Sequence, residues 1–236
     1  MAVTLGSSGL TFSDGTSQTT KATGAGDTGD FGDLIDVQSF TSTGTWTNPG
    51  ATQVHVKLVG GGGGGAGYCE SGGAGCYAEG FYNVSGVATV AVTVGGGGSF
   101  AAYYAAASQG GTSSFGSYIS AIGGYGANQQ YSHSGGHGGN SASGQQFYAV
   151  GGSGCGHING VGHGPIGSIG GASYFGGARA HVRNHNNLAA YHGIGSGAPG
   201  SGGPGNITDW GTQQSSRGHS PGETGTGGIV IIYSYK

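Results

Sequence analysis

The sequence predicts an all-β, partly irregular fold: a small β-sandwich-like strand core joined to packed polyglycine-II-type helices and long loops, with essentially no α-helix. Three observations carry this. Glycine supplies 61 of the 236 residues, in unbroken runs at 60–65 and 95–98 and as recurring pairs thereafter. The β-branched residues concentrate in three short segments far apart in the chain. Only 34% of residues are hydrophobic and 6% charged, too few apolar side chains to fill a conventional core at this length. The same arithmetic disfavours most enzyme folds. Five prolines exclude collagen. Six Lys and Arg in total, with a net charge of −3, supply no phosphate-binding patch, so nucleic acid is not an expected partner. No run approaches a membrane span, and MAVTLGSSG has neither the basic nor the apolar region of a secretory signal; no membrane insertion and synthesis in a cytoplasm are expected.

Residues 1–39 read as a segment of their own. Val3-Thr4-Leu5 and Leu10-Thr11-Phe12 are two short strands about Gly6-Ser7-Ser8-Gly9, and Asp14-Gly15-Thr16 is a hairpin-closing turn. Residues 21–32 are small, polar and without period, a linker. Asp27, Asp30, Asp33 and Asp36 recur every third residue; this suits a solvated linker and does not match a calcium loop. Residues 40–236 form the glycine-rich β/polyglycine domain. Phe40 and Trp46 flank a Ser/Thr-rich stretch, Asn48-Pro49-Gly50 is a turn, and Val54, Val56 and Leu58 alternate with polar residues as a strand. A second strand spans 87–94, with Val90, Val92 and Val94 on one face. The third, 229–233, is continuously apolar and so predicted to be covered on both faces. The one helix-tolerant stretch, 101–108, is short and interrupted by Tyr103 and Tyr104.

The glycine-rich sequence between these strands is not expected to be a flexible linker, because 13 tyrosines and eight phenylalanines punctuate the chain. Glycine backbones approach closely, and extended polyproline-II-like segments have no internal hydrogen bonds. Their N–H and C=O groups must therefore find partners in neighbouring segments. The expected result is a lattice of short extended helices bonded laterally.

Phe40, Gly44-Thr45-Trp46-Thr47, Pro49-Gly50 and Val54-His55-Val56-Lys57-Leu58-Val59, followed at once by the run 60–65, resemble the glycine-rich domain of tailed-phage tail fibres. The resemblance continues through Ala78-Glu79-Gly80, the strand entering 95–98, Gly110-Gly111-Thr112-Ser113-Ser114-Phe115-Gly116 and Gly227-Gly228-Ile229-Val230-Ile231-Ile232-Tyr233, covering roughly residues 38–236. Within that family the distal adhesins of T-even-like phages are similar in composition. The N-terminal stretch from Val3 to Thr19 resembles a short element at the ends of virion structural proteins of cyanobacterial phages. The resemblance implies packed polyglycine helices, projecting loops that bind a host surface glycan or outer-membrane protein, and a homo-oligomer, with a trimer matching fibre geometry. It further implies a virion location and attachment to other tail proteins through residues 1–39. The chain lacks a long repeated shaft, which keeps a self-assembling fibril or accessory subunit open as an alternative; a surface- or ice-binding protein on polyglycine helices is a third reading.

The aromatic residues are the main functional candidates, since rigid rings with polar tips suit binding surfaces. Tyr103, Tyr104, Tyr131, Tyr148, Tyr191 and Trp210 are expected in loops between glycine pairs, with Arg179, Arg183 and His185 as directional donors. Phe81, Phe115 and Tyr118 are expected to plug the lattice instead. His133 with His137, and His181 with His185, have the i,i+4 spacing of a helical metal pair. Their spacers, Ser-Gly-Gly and Val-Arg-Asn, form poor helices, so exposed loop histidines are the favoured reading and no cofactor is expected. Cys69 and Cys76 are close enough for a small disulfide loop if the chain turns back, or are buried thiols between glycine segments. Neither a paired-carboxylate nor a nucleophilic triad pattern stands out, and no catalysis is expected.

Overall fold

The computed structural model describes residues 3–6, 9–12, 17–18, 33–67, 70–101, 105–128, 135–155, 167–178, 180–183, 190–194, 197–205 and 222–236. All helices or strands among them are strands. β1 (Val3–Gly6), β2 (Gly9–Phe12) and β3 (Ser17–Gln18) pair antiparallel in that order, Val3 opposite Phe12 and Leu10 opposite Gln18. These include both strands expected near the N-terminus; the 21–32 linker lies outside the described residues.

Next come β4 (Leu34–Phe40), β5 (Gly44–Thr47), β6 (Gln53–Val59), β7 (Tyr77–Asn83) and β8 (Thr89–Thr93). They are followed by β9 (Ser113–Phe115), β10 (Ile119–Ala121), β11 (Ala142–Ser143) and β12 (Phe147–Ala149). β13 (Gly167–Ile169), β14 (Ala180–Arg183) and β15 (Ala190–Ile194) make a small side sheet, and β16 (Ile229–Tyr235) is last. Two five-stranded antiparallel sheets, ordered β11-β10-β9-β8-β5 and β12-β7-β6-β16-β4, pack against each other. The core between them is built from the inward residues of both: Val54, Val56, Leu58, Val230 and Ile232 on one side, Trp46, Val90, Val92, Phe115 and Ile119 on the other. Trp46 is fully buried and meets Phe115 edge-on at 5.6 Å.

Three expectations change. The apolar run of β16 is covered on one face only: Val230, Ile232 and Ser234 are buried, while Ile229, Ile231, Tyr233 and Tyr235 face outward and are half-buried. A strand paired on both edges by β6 and β4 needs only one packed face to be held. Residues 34–39, read as part of the N-terminal segment, extend along β16 as β4, with Phe40 opposite Val230. Phe115 plugs the sandwich rather than the lattice, Tyr118 packs against that same core, and Phe81 lies on the outer sheet face against His55.

The strands run directly into the glycine segments. In 60–65 each successive N–H points to a different neighbour, and the direction repeats every three residues. Gly60 and Gly63 donate to Cys76 and Gly73, Gly61 and Gly64 to Gly111 and Ser108, Gly62 and Gly65 to Thr226 and Glu223, all at 2.8–3.0 Å. The carbonyls repeat likewise: Gly61 and Gly64 accept from Gly124 and Ala127, Gly62 and Gly65 from Gly98 and Ala101, and Gly63 from Gly203. A three-residue period with only lateral bonds is the polyglycine II helix. Segment 60–66 is thus enclosed by six others: 70–76, 122–127, 107–111, 95–101, 222–228 and 198–205. Segment 70–76 is enclosed in the same way by 60–66, 122–127, 135–139, 151–155, 170–173 and 198–205. The result is a hexagonal lattice with an antiparallel central pair.

Glycine is required here for its missing side chain. A Cβ on Gly60, Gly61, Gly62, Gly63, Gly64 or Gly65 would land on a backbone carbonyl oxygen of Ile122, Gly96, Ser201, Tyr125, Ser99 or Pro204 respectively. Of these six, none has a left-handed φ. At the seam between sandwich and lattice the buried Ser113 hydroxyl accepts from Gly95 N–H (3.0 Å) and donates to the Val59 carbonyl (2.7 Å), tying both layers together.

Candidate functional site

The molecule has two unlike ends. β16 runs away from the lattice and β4 returns beside it, so Leu34 lies next to Tyr235 at the end remote from the lattice. Lys236 N–H donates to the Asp33 carbonyl there (3.1 Å). Residues 1–32 therefore join the chain at this base. At the opposite end the chain leaves the lattice after Ala66, Ala101, Ala127, Cys155 and Gly205 and re-enters at Glu70, Ala107, Gly135, Gly167 and Gly222. The connections 67–69, 102–106, 128–134, 156–166 and 206–221 all depart from that tip.

Two devices finish the lattice where these connections start. Ala66, Ala101 and Ala127, with Ala107 packed against them, form an apolar plug; methyl groups replace hydrogens where the helices no longer need six close neighbours. Nearby, the buried Ser71 and Ser168 hydroxyls bond each other at 2.6 Å, and Gly205 N–H donates to Ser168 (2.6 Å) and Ser71 (3.2 Å). This clamp fixes the departure points of 156–166 and 206–221. Glu70, fully buried, opens the second central helix beside it and accepts the Ala66 N–H at its carbonyl (2.8 Å).

The candidate residues distribute as follows. Tyr103, Tyr104, Tyr131, Arg179, His185 and Trp210 lie outside the described residues, as does His133; Tyr103, Tyr104, Tyr131 and Trp210 fall within the tip connections. β14 runs antiparallel to β13 and toward the tip, so Arg183 stands at its tipward end, with His181 opposite Ser168 and Tyr191 opposite Val182. His137 is exposed on segment 135–139. Tyr148 departs from expectation: it is on β12, opposite Ala78 in the main sheet, and not in a loop. Its side chain is 48% exposed because β12 is an edge strand. Cys76 is a free thiol, fully buried, donating to the Ala149 and Tyr77 carbonyls at 3.4 Å; burial pushes it up to about 11. Cys69, its candidate bridge partner, lies outside the described residues.

Sequence reasoning did not bring together a second aromatic group, on the outer face of the β12-β7-β6-β16-β4 sheet. Tyr77, Phe147, Tyr174 and Phe175 meet there. Only the pairing of β12 with β7, and the return of 170–173 beside 70–76, brings them together. The adjacent pairs Phe147-Tyr148 and Tyr174-Phe175 were its signs in the sequence.

The family model for a glycine-rich domain matches residues 38–235. The chain belongs to this family. The match opens within β4 and closes on the last residue of β16, so the glycine-rich domain comprises sandwich and lattice together and leaves the β1–β3 sheet outside. The family description names a composition and not an activity. The chain has no significant match among curated proteins.

Proposed function

We propose that this glycine-rich domain is the receptor-binding end of a phage tail fibre, an adhesin that contacts the host surface through its tip connections. The observation that carries the reading is the polarity of the molecule. Residues 1–32 join the chain at one end, beside the start of β4; the other end sends out five connections of the lattice. A hydrogen-bonded scaffold with almost no side chains cannot itself be specific, so recognition falls to the connections, which are rich in Tyr, His, Asn and Gln. Residues 1–39 would join copies of the chain, as a trimer, and other tail proteins; the exposed Leu34, Ile35 and Val37 on β4 suit such burial. The reading assigns binding, with no chemistry, cofactor or metal, and a virion location. A glycan or an outer-membrane protein is the receptor class.

The test is adsorption of particles, or of the purified chain, to susceptible cells after Tyr131→Ala, Tyr191→Ala and Trp210→Ala, with folding checked by thermal melting. At least one variant should lose adsorption by roughly tenfold or more, the behaviour of a binding anchor. Parent-like adsorption of all three, with loss on altering residues 3–18, would reverse the two ends. Continuous axial stacking of the chain in electron micrographs would favour the fibril reading instead.

A further inference from the structure

The outer face of the β12-β7-β6-β16-β4 sheet carries groups that the tip reading does not use. Tyr77, at the start of β7, is 1% exposed and lies flat under Tyr174, with ring centroids 3.7 Å apart and planes 10° from parallel. Tyr174 comes from the tight turn closed by the Ser173–Gly176 bridge, and it is 54% exposed, so its second face is open to solvent. Phe175 stands edge-on to both rings at 5.6 and 5.8 Å, and Phe147 edge-on to both at 6.2 and 6.5 Å. The exposed Tyr174 ring is thus held flat over the strand residue Tyr77, with two upright neighbours.

Polar groups adjoin it directly. Glu79 is the cross-strand partner of Phe147 and of Lys57. Its Oε2 accepts from the Tyr77 hydroxyl (2.7 Å) and lies 3.5 Å from His55 Nε2 and 3.9 Å from Lys57 Nζ. Beyond it His55 stacks on Phe81 (4.1 Å), and Lys57 sits over the Tyr233 ring (5.6 Å). Tyr77 and Phe81 are four residues apart on one strand, roughly 13 Å. The face therefore alternates ring, carboxylate and ammonium, then ring again.

We infer that this face is a binding site for a neutral oligosaccharide chain, with a pyranose ring on Tyr174 and its hydroxyls on Glu79 and Lys57. Sugar C–H faces stack on flat rings. Sugar hydroxyls both donate and accept, so they can replace water on a carboxylate and an ammonium together. A second protein copy fits less well, because it would bury the Glu79–Lys57 pair at the centre of the contact, where charges are depleted and desolvation is expensive. An anionic polymer fits less well too, since Lys57 is already offset by Glu79. The site is on the sheets and away from the tip, so it stands or falls independently of the adhesin reading.

Affinity electrophoresis of the intact chain tests it, in gels holding dextran, mannan or galactomannan, with alginate as the anionic comparison. At least one neutral polysaccharide should retard the chain. Tyr174→Ala should weaken that retardation by roughly tenfold or more, and Glu79→Gln should weaken it to a smaller extent. Phe100→Ala, an exposed ring on segment 95–101, should behave as the parent. Phe147→Ala stands in if Tyr174→Ala does not fold. No retardation in any neutral gel, retardation that survives Tyr174→Ala, equal retardation by alginate, or a dimer that Tyr174→Ala dissociates would each overturn the proposal.

Discussion

Replacing Gly63 by alanine is the sharpest probe of the lattice. Gly63 sits in the central helix; its N–H donates to Gly73 (2.8 Å) and its carbonyl accepts from Gly203 (2.8 Å). The added Cβ would land on the Tyr125 carbonyl, which already accepts the Gly73 N–H at 2.9 Å. The obstacle is backbone, held in turn by its own neighbours, so no side chain can rotate aside. Overpacking a close-packed interior costs about 1–3 kcal/mol. Each buried backbone group that the displacement leaves unpaired adds about 1–3 kcal/mol. A total of about 2–6 kcal/mol is expected, a large part of the roughly 5–15 kcal/mol that holds a domain folded. Gly96 is the matched control: it lies in the same lattice, without a left-handed φ, and a Cβ there meets nothing within 4 Å. Gly96→Ala should be neutral or stabilising by about 0.4–1 kcal/mol, through the narrower unfolded ensemble. Urea unfolding followed by far-UV circular dichroism gives both midpoints, and Gly62→Ala, blocked by the Ser201 carbonyl, serves as a second central variant. Equal midpoints for the central and edge variants would show that the segments are not packed as a hexagonal lattice.

Two further outcomes follow from the sandwich. Asn48 holds the base turns with its amide: Nδ2 donates to the carbonyls of Ala51, Val84 and Val87, and Oδ1 accepts from Gly50 and Ala51 N–H. Asn48→Ala should therefore cost about 2–4 kcal/mol in chemical denaturation, as several partners lose their bond together, and a loss under about 0.5 kcal/mol would contradict this. His55 has its pKa lowered below 6.5, first by burial and then by Lys57, against an opposing pull from Glu79. The folded state thus binds fewer protons than the unfolded one, so this contribution is complete above about pH 6.5 and falls away as the pH drops toward the folded value. Melting temperatures compared at about pH 8 and about pH 5 should show a decrease that His55→Gln reduces; an unchanged decrease in the variant would remove His55 as its source.

Much of this architecture was legible in the chain, and the reasons for the exceptions are physical. Val54, Val56 and Leu58, or Val90 and Val92, alternate because one face of their strand meets the core, and such strands announce themselves. β7 does not: the inward positions Ala78 and Gly80 are small, so no apolar alternation marks it. β4 was hidden because Asp33 and Asp36 continue the acidic spacing of the linker; the Asp36 carboxylate bonds the Gln38 amide (2.7 Å) instead of interrupting the strand. The glycine runs foretold lateral backbone bonding but not which helices lie at the centre. That depends on the direction of each N–H, a property of three-dimensional phase and not of composition. The aromatic group at Tyr77 could not be assembled from the sequence, because Phe147 and Tyr174 reach it from distant parts of the chain.

The hexagonal arrangement also bears on how the protein responds to temperature. Hydrophobic stabilisation weakens on cooling because apolar surface carries a large positive heat capacity of hydration, whereas newly exposed polar surface carries a negative one. Unfolding the lattice exposes mainly peptide groups, since its central helices offer hydrogens and amides in place of side chains. The apolar contribution to the heat capacity of unfolding comes mostly from the sandwich core around Trp46 and Phe115. The heat capacity per residue therefore falls below the roughly 12–15 cal/mol/K of ordinary domains, and the stability curve is correspondingly flat. Such a scaffold stays folded across a wider span of temperature than an oil-filled core of equal size would allow.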